Sequence, residues 1–222
     1  MSGNVSIVMP VYNCAPWIEE AVRSVVERAD GLLELIVVDD GSTDQSAEIV
    51  AGLDGPIKLI RQENQGPSVA RNVAMREAEG SIIGFMDGDD IWIAGSPDGR
   101  RSAIERGADV AFAKVQVLMG DPPRPFGEPV YAVSLPSLLI SRRVLDVVGE
   151  LDESIVHGED VDFVMRMKEA GMKAEHVDEV VLEYRKRPGS LTTDREHNRP
   201  AIVHRLKESL ERRGKIGGEK QL

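Results

Sequence analysis

The sequence is poor in several features that would each point to a function. It has a single cysteine, Cys14, so an intrachain disulfide is excluded and a reducing compartment is the natural setting. Aromatic residues make up 4% of the chain, too few for a platform that stacks successive bases. Positive charge is in deficit: 27 Lys+Arg against 38 Asp+Glu give a formal net charge of −11. A duplex-binding surface needs a basic excess, so no nucleic-acid partner is expected. No apolar run approaches the roughly 18 residues that a membrane span requires. The first ten residues, MSGNVSIVMP, lack the basic and apolar regions of a signal peptide. The expectation is a cytoplasmic protein without a transmembrane segment. There is no Walker A loop, no G-x-G-x-x-G, and no HExxH among His157, His176, His197 and His204.

What is present is a regular alternation. The chain has 222 residues, 41% of them apolar, enough for one large domain or two halves sharing a core. Val5–Met9, Leu35–Val38, Ile57–Ile60 and Ser81–Met86 read as short apolar strands. Between them, Ala15–Arg28, a segment capped by Thr43 or Asp44 and running to about Leu53, and Ser68–Glu79 read as helices. This β-α-β-α-β-α-β order predicts an α/β fold, Rossmann-like, with a mostly parallel central sheet and helices on both faces. Regularity weakens after Trp92. A longer strand over Ala108–Leu118, a proline-rich loop over Gly120–Pro129 and a short strand over Ser137–Ile140 are expected. Helices over Ser141–Val148 and Glu159–Ala170 follow, then one strand or two within Lys173–Arg185, and a last helix over Arg195–Arg213.

Three polar clusters directly follow three of these strands: Pro10-Val11-Tyr12-Asn13, Asp39-Asp40-Gly41-Ser42 and Asp87-Gly88-Asp89-Asp90. Parallel strands point one way, so all three clusters fall on the carboxyl edge, where open α/β sheets bind ligands. Three carboxylates within four residues repel one another unless a hard divalent cation such as Mg²⁺ or Mn²⁺ intervenes. Such an ion could bridge the protein to a diphosphate. Gly88 lets the backbone turn and a ligand come close. Asp39 and Asp40 suit a ribose hydroxyl or a base N–H, and equally suit a turn and helix cap. Tyr12 could lie against a base or sit at a core edge, and Arg71 could reach a nucleotide or pair with an acid. Asp160 opens a helix, in register with Val164 and Met167, where the helix dipole favours its ionised form. An ionised carboxylate there can accept a proton from an attacking hydroxyl. Acids favour first turns in any case. Cys14, with no base partner, reads as a small buried hydrophobe.

In this order the clusters resemble the family 2 glycosyltransferases of the GT-A fold. The matching stretches are VSIVMPVYNCAPWIEEAVRSV, ELIVVDDGSTD, ENQGPSVARNVAMREAEGSIIGFMDGDDIW, SLLISRRVLDVVGELDES and GEDVDFVMRMKEAG, from about residue 5 to about residue 190. The resemblance implies one GT-A domain over 1–222: a nucleotide-sugar half over 1–90, an acceptor half with the catalytic base over 91–192, and a helix and tail over 193–222. It implies that Pro10 and Tyr12 line the base pocket, that Asp39 binds the base and that Arg71 supports it. Asp87-Gly88-Asp89 becomes a DxD motif, with Asp89 the direct metal ligand and Asp87 nearer the ribose and the metal. Asp160 becomes the base of an inverting transfer from a nucleotide-diphosphate sugar, UDP-sugar favoured, assisted by Mn²⁺ or Mg²⁺. Many relatives carry a Tyr-Arg-x-His segment; here it is Tyr184-Arg185-Lys186-Arg187, and the fork of Arg187 suits phosphate oxygens.

Processive members add membrane spans and a Gln-x-x-Arg-Trp motif; neither is found, so transfer of single sugars is expected, to a carbohydrate or lipid-linked acceptor. Ile202, Leu206 and Leu210 form an i, i+4, i+8 stripe on a basic last helix. Docking on the core or a partner subunit is its expected use, with peripheral contact at an anionic membrane face the alternative. Two other functions remain open at this level. One is a nucleotide-binding protein without turnover. The other is a phosphohydrolase with Asp87 as nucleophile and Asp89 as acid.

Overall fold

The computed structural model describes residues 4–95, 98–186 and 195–218. Strands β1 (Val5–Val11), β2 (Leu32–Asp40), β3 (Ile57–Gln62) and β4 (Ile82–Phe85) alternate with helices α1 (Ile18–Arg28), α2 (Ser46–Ala51) and α3 (Pro67–Glu77). The strands pair in parallel in the order β3-β2-β1-β4. β1 shows why. Its residues are apolar towards both faces: Ile7, Met9 and Val11 pack in one core cluster with Val22 and Val25 of α1, while Val8 packs in the other with Ala70, Ala74 and Met75 of α3. A strand covered on both sides cannot afford polar alternation.

Two helix starts differ from the sequence expectation. α1 begins at Ile18 because Cys14–Trp17 close a turn, in which the N–H groups of Trp17 and Ile18 both donate to the Cys14 carbonyl at 2.9 Å. α2 begins at Ser46 and is capped by neither Thr43 nor Asp44. Asp44 instead ties two loops together, accepting from the N–H of Ser46 (2.9 Å) and of Ala15 (3.0 Å). α3 starts as expected of Pro in a first turn, after Gly66 at φ +95°.

The second half continues the same sheet. β5 (Ile91–Trp92) and α4 (Gly99–Glu105) lead into β6 (Val110–Met119), which carries the small strands β7 (Arg124–Pro125) and β8 (Val130–Tyr131). β9 (Leu138–Ser141), α5 (Arg142–Val148), α6 (Glu159–Glu169), β10 (Ala174–Arg185) and α7 (Arg195–Gly218) complete the described elements. The order runs on as β4-β9-β6-β10-β5. β9 is antiparallel to both β4 and β6, so β6 and its parallel partner β10 again point the way β4 does. Their carboxyl ends therefore reach the edge that carries Asp87. The stretch read as one strand or two is the single strand β10, with register shifts near His176–Leu182.

β5, α4, β7 and β8 were not legible. The strands are two residues long, too short to show a period. α4 hides because, of its two buried residues, Ala103 is small and Arg100 is charged: Arg100 is fully buried, paired with Asp98 at 2.8 Å and lying 4.5 Å from the Trp92 ring centre. The last helix also departs from expectation. α7 packs on α6 through buried Ser209 and an Arg212–Glu169 pair at 2.8 Å. The Ile202, Leu206 and Leu210 stripe faces outward, with Leu210 60% exposed, so it does not dock on the core. Among the described residues no helix is long and apolar enough to cross a membrane.

One side chain joins the two halves. Asn72, buried on α3, donates to the Leu151 carbonyl (2.9 Å) and to Glu153 (3.0 Å), and its own oxygen accepts from the Leu151 N–H (3.0 Å). Asn72→Ala orphans the two backbone groups and should lower unfolding stability by about 2–3 kcal/mol. Urea denaturation followed by circular dichroism measures this.

Candidate active site

The carboxyl edge is built by backbone pairing. Val11 at the end of β1 lies beside Asp39 of β2, and the Met86 N–H donates to the Val8 carbonyl (3.0 Å), carrying the β1–β4 pairing up to Asp87. The loops then brace one another. The Asn13 N–H donates to Ser42 Oγ (3.0 Å), the Thr43 N–H to Asn13 Oδ1 (2.8 Å), and the Cys14 N–H to Ser46 Oγ (2.8 Å). Asn13 adopts φ +53°, a region that Asn tolerates better than most residues. Cys14 is buried in this seam, as its apolar reading predicts. A Cβ on Gly88 would come within 3.2–3.4 Å of Val11, Ile18 and Cys14, so the Asp87-Gly88-Asp89 turn lies directly on the junction of β1 and α1.

The two aspartates of β2 take different tasks. Asp40 holds the loop before α3, accepting from the N–H groups of Gln65 (2.9 Å) and Gly66 (2.8 Å) and from the Gln62 amide (2.8 Å). Asp39 is less committed: one oxygen accepts from the Ser42 N–H at 3.2 Å, and the other faces the exposed Arg61 at 3.3 Å. Tyr12 is 48% exposed at the rim, and Pro10 is partly exposed beside it.

The centre of the site is Arg71. Its guanidinium is buried and makes ion pairs with Asp87 (2.6 Å) and Glu159 (3.3 Å). Burial pulls its pKa down, but Asp87, Glu159 and Asp160 together push it above the usual arginine value. The structure thus joins Asp87 to the first turn of α6 through Arg71, a link between distant segments that no local motif displays.

Asp160 differs from expectation in its charge state. Its Oδ1 accepts from the Val161 N–H at 2.7 Å. Burial, and then the neighbouring Glu159 carboxylate, raise its pKa to about 7, against the pull of that N–H and of Arg71. The helix dipole does not hold it ionised, as sequence position alone suggested.

Asp90 leaves the edge altogether. It is fully buried, one oxygen accepts from the Arg185 N–H (2.8 Å) and the other has no hydrogen-bond partner. Burial, helped by Asp87 and Asp89, pushes its pKa well above the carboxylate range. Asp90 thus anchors the end of β10, and the Arg185 side chain is held by Glu20 of α1. The sequence grouped Asp90 with Asp87 and Asp89 as a third carboxylate for a cation, and burial removes it from that group. Arg187 lies outside the described residues.

Asp87 and Asp89 are both partly exposed at the mouth. Among the described residues no group of three or more His, Cys, Asp or Glu side chains forms a complete metal site. Two hard carboxylates fit a Mg²⁺-type ion, which keeps its waters and takes further oxygens from a bound phosphate.

The curled, mostly parallel sheet with its acidic carboxyl edge is that of the GT-A glycosyltransferases. Staphylococcus aureus TarS (residues 1–349) in complex with UDP-GlcNAc superposes with a TM-score of 0.74 at 22% identity, over 93% of this chain and 65% of that one. Its complex with UDP gives a TM-score of 0.70 at 24% identity, over 83% and 61%. The chain belongs to glycosyl transferase family 2, whose sequence model matches residues 6–123. The uncharacterized glycosyltransferase EpsJ of Bacillus subtilis is 45% identical over 89 residues, 39% of this chain and 26% of EpsJ. Glycosyltransferase GlyG of Streptococcus pneumoniae is 37% identical over 95 residues, 41% of this chain and 32% of GlyG. The matched stretches therefore span about a quarter to a third of these two relatives' lengths.

The raised pKa of Asp160 carries a stability consequence. Between pH 3.8 and about 7 the folded state binds a proton there that the unfolded state has lost, so this group makes stability fall as pH rises. Asp160→Asn removes that cost. The variant should gain about 4 kcal/mol over wild type at pH 8 and nothing below about pH 4. Thermal unfolding of both proteins across that range tests the sign.

Proposed function

We propose that the chain transfers a sugar from a nucleotide-diphosphate donor, UDP-sugar favoured, to an acceptor hydroxyl with inversion, assisted by a divalent cation. The observation that carries this reading is the convergence of Asp39, Asp87, Asp89 and Asp160 on one sheet edge of a family 2 GT-A fold. Further support comes from TarS, which shares the fold and has been crystallised with UDP and UDP-GlcNAc.

In this reading the exposed Tyr12 ring and Pro10 flank the base, and Asp39 accepts the N–H of uracil. Asp87 and Asp89 would hold Mn²⁺ or Mg²⁺, which would supply positive charge against the diphosphate. Gly88 keeps the loop low enough for close approach. The acceptor oxygen bonds to the anomeric carbon as the bond from that carbon to the diphosphate oxygen breaks. The electrons of the broken bond stay on the diphosphate, and the acceptor proton passes to Asp160. One protein base suffices, because no second carboxylic acid is needed to protonate the leaving oxygen. A pKa near 7 suits a group that must accept a proton at neutral pH. The ion pair to Arg71 engages Asp87, which weighs against Asp87 as the free nucleophile of a phosphohydrolase. The acceptor is a carbohydrate or lipid-linked hydroxyl, met by residues after Asp90.

Calorimetric titration with UDP, GDP, CDP and dTDP, each with and without Mn²⁺, is the first test. Binding of UDP that requires Mn²⁺ and is lost in Asp89→Ala is expected. Binding of none of them by the folded protein would overturn the reading. With a donor identified, Asp160→Asn should lower turnover about 10²- to 10⁴-fold while leaving the diphosphate dissociation constant within about twofold. The wild-type rate should rise with pH and level off above about 7, where Asp160 is ionised.

A further inference from the structure

The reading above gives Asp160 the proton and leaves its neighbour Glu159 without a task. We propose that Glu159 is a positioning residue: through the buried Arg71 guanidinium that also holds Asp87, it fixes the first turn of α6, and with it Asp160, against the donor edge. The inference rests on the assignment of Asp160 as base.

The local sequence does not secure the start of α6. The helix opens after Gly158 at φ +80°, and no side chain caps it. Asp160 is bonded to the N–H of its own neighbour, Val161, so that bond moves with the helix and fixes nothing across the cleft. The connection across the cleft is made one residue earlier, by Glu159 on Arg71 at 3.3 Å. Arg71 is held in turn by Asp87 at 2.6 Å, and its side chain is only 7% exposed. A guanidinium is a planar fork, so two carboxylates bound to its two ends are fixed relative to each other.

The segment leading to Glu159 is fastened to the same helix. Asn72 holds Leu151 and Glu153, and Arg76 holds Glu150. α3 is thus a template with three successive anchors. The first is Arg76 on Glu150, at the surface. The second is Asn72 on Leu151, which is buried. The last is Arg71 on Glu159, beside the base. Because Glu159 is engaged by Arg71, it is a poor candidate for the base itself.

Charge follows from the same geometry. The charged groups around Asp160 are Glu159 on its own helix, Arg71 on α3 and Asp87 from the loop after β4. His157 precedes the helix. From α7 the aliphatic stem of Arg205 lies near Gly158, while its guanidinium is turned to Glu208 at 2.7 Å. Glu159 raises the proton affinity of Asp160 and Arg71 lowers it, so the pair that positions the base also sets its titration.

The test compares wild type with Glu159→Gln, Glu159→Ala and Asp160→Asn. One readout needs no substrate: the titration midpoint of the Asp160 carboxyl carbon, by ¹³C NMR on the intact chain. Glu159→Gln should move it down by roughly one unit. An unmoved midpoint overturns the proposal. The second readout is UDP release from UDP-GlcNAc with Mn²⁺, in which water serves as acceptor. Glu159→Ala should lower kcat about 10- to 100-fold with KM within twofold, and Glu159→Gln, which keeps an oxygen for Arg71, should restore most of it. A parallel loss of UDP affinity, or an unchanged kcat, would overturn the positioning role. Should Glu159→Ala fail to fold, the titration midpoint of Glu159→Gln alone decides. Undiminished UDP release by Asp160→Asn would refute the base assignment, while the midpoint shift still reports on the Glu159–Arg71 contact.

Discussion

Four carboxylates crowd the mouth of this fold, in a chain that is already acidic: Asp87, Asp89, Glu159 and Asp160, with a fifth, Asp90, buried behind them. The protein manages that repulsion by placing one buried cation among them. Arg71 binds Asp87 and Glu159 directly and draws Asp160 towards ionisation. An arginine taken out of water is costly unless its donors find acceptors, so the cluster and the cation require each other. The remaining charge is handled by burial. Asp90 is sealed under β10, where a neutral carboxylic acid costs less than an anion.

This arrangement depends on a rigid platform. The β1, β2 and β4 strands are apolar on both faces, so their register is set by two core clusters and cannot slip without exposing one of them. The loops at their ends are short and tied to one another by Asn13, Ser42, Asp44 and Ser46. Asp160 arrives from the other half of the chain, on a helix carried by α3 through Asn72 and Arg71. The sheet edge and α6 therefore share a support, and the distance between them is a property of packing.

Much of this was visible in the residues. Strand and helix alternation over the first ninety residues, and the three polar clusters behind three strands, follow from a period and from the rule that parallel strands end together. The apolar reading of Cys14 holds for the same reason: it has neighbours of its own kind in the seam. The errors have physical causes. Of the two uses expected for the Ile202, Leu206 and Leu210 stripe, docking on the core fails, because α7 docks by Ser209 and Arg212 and the stripe faces outward, the side a partner subunit would meet. α4 was hidden because its large buried residue is Arg100, beside only the small Ala103, and a charge balanced by Asp98 and the Trp92 ring carries no apolar signal. Asp160 is less acidic than its helix position implies, because burial and Glu159 outweigh the dipole.

The sequence by itself determined the order of the elements over the first ninety residues, the sidedness of the sheet and the family, since these depend on local periodicity and on motifs that need no partner. Only the tertiary structure decided which of several acids does what. Asp39 and Asp40 are neighbours, but one is tied to the loop before α3 and the other remains at the edge. Asp89 and Asp90 are neighbours, but one stays at the mouth and the other is buried. Arg71 and Glu159 are 88 residues apart and form one ion pair. Burial and long-range contact set these differences. Both are properties of the packed whole, and a carboxylate looks the same in sequence whether it is solvated, paired or neutral.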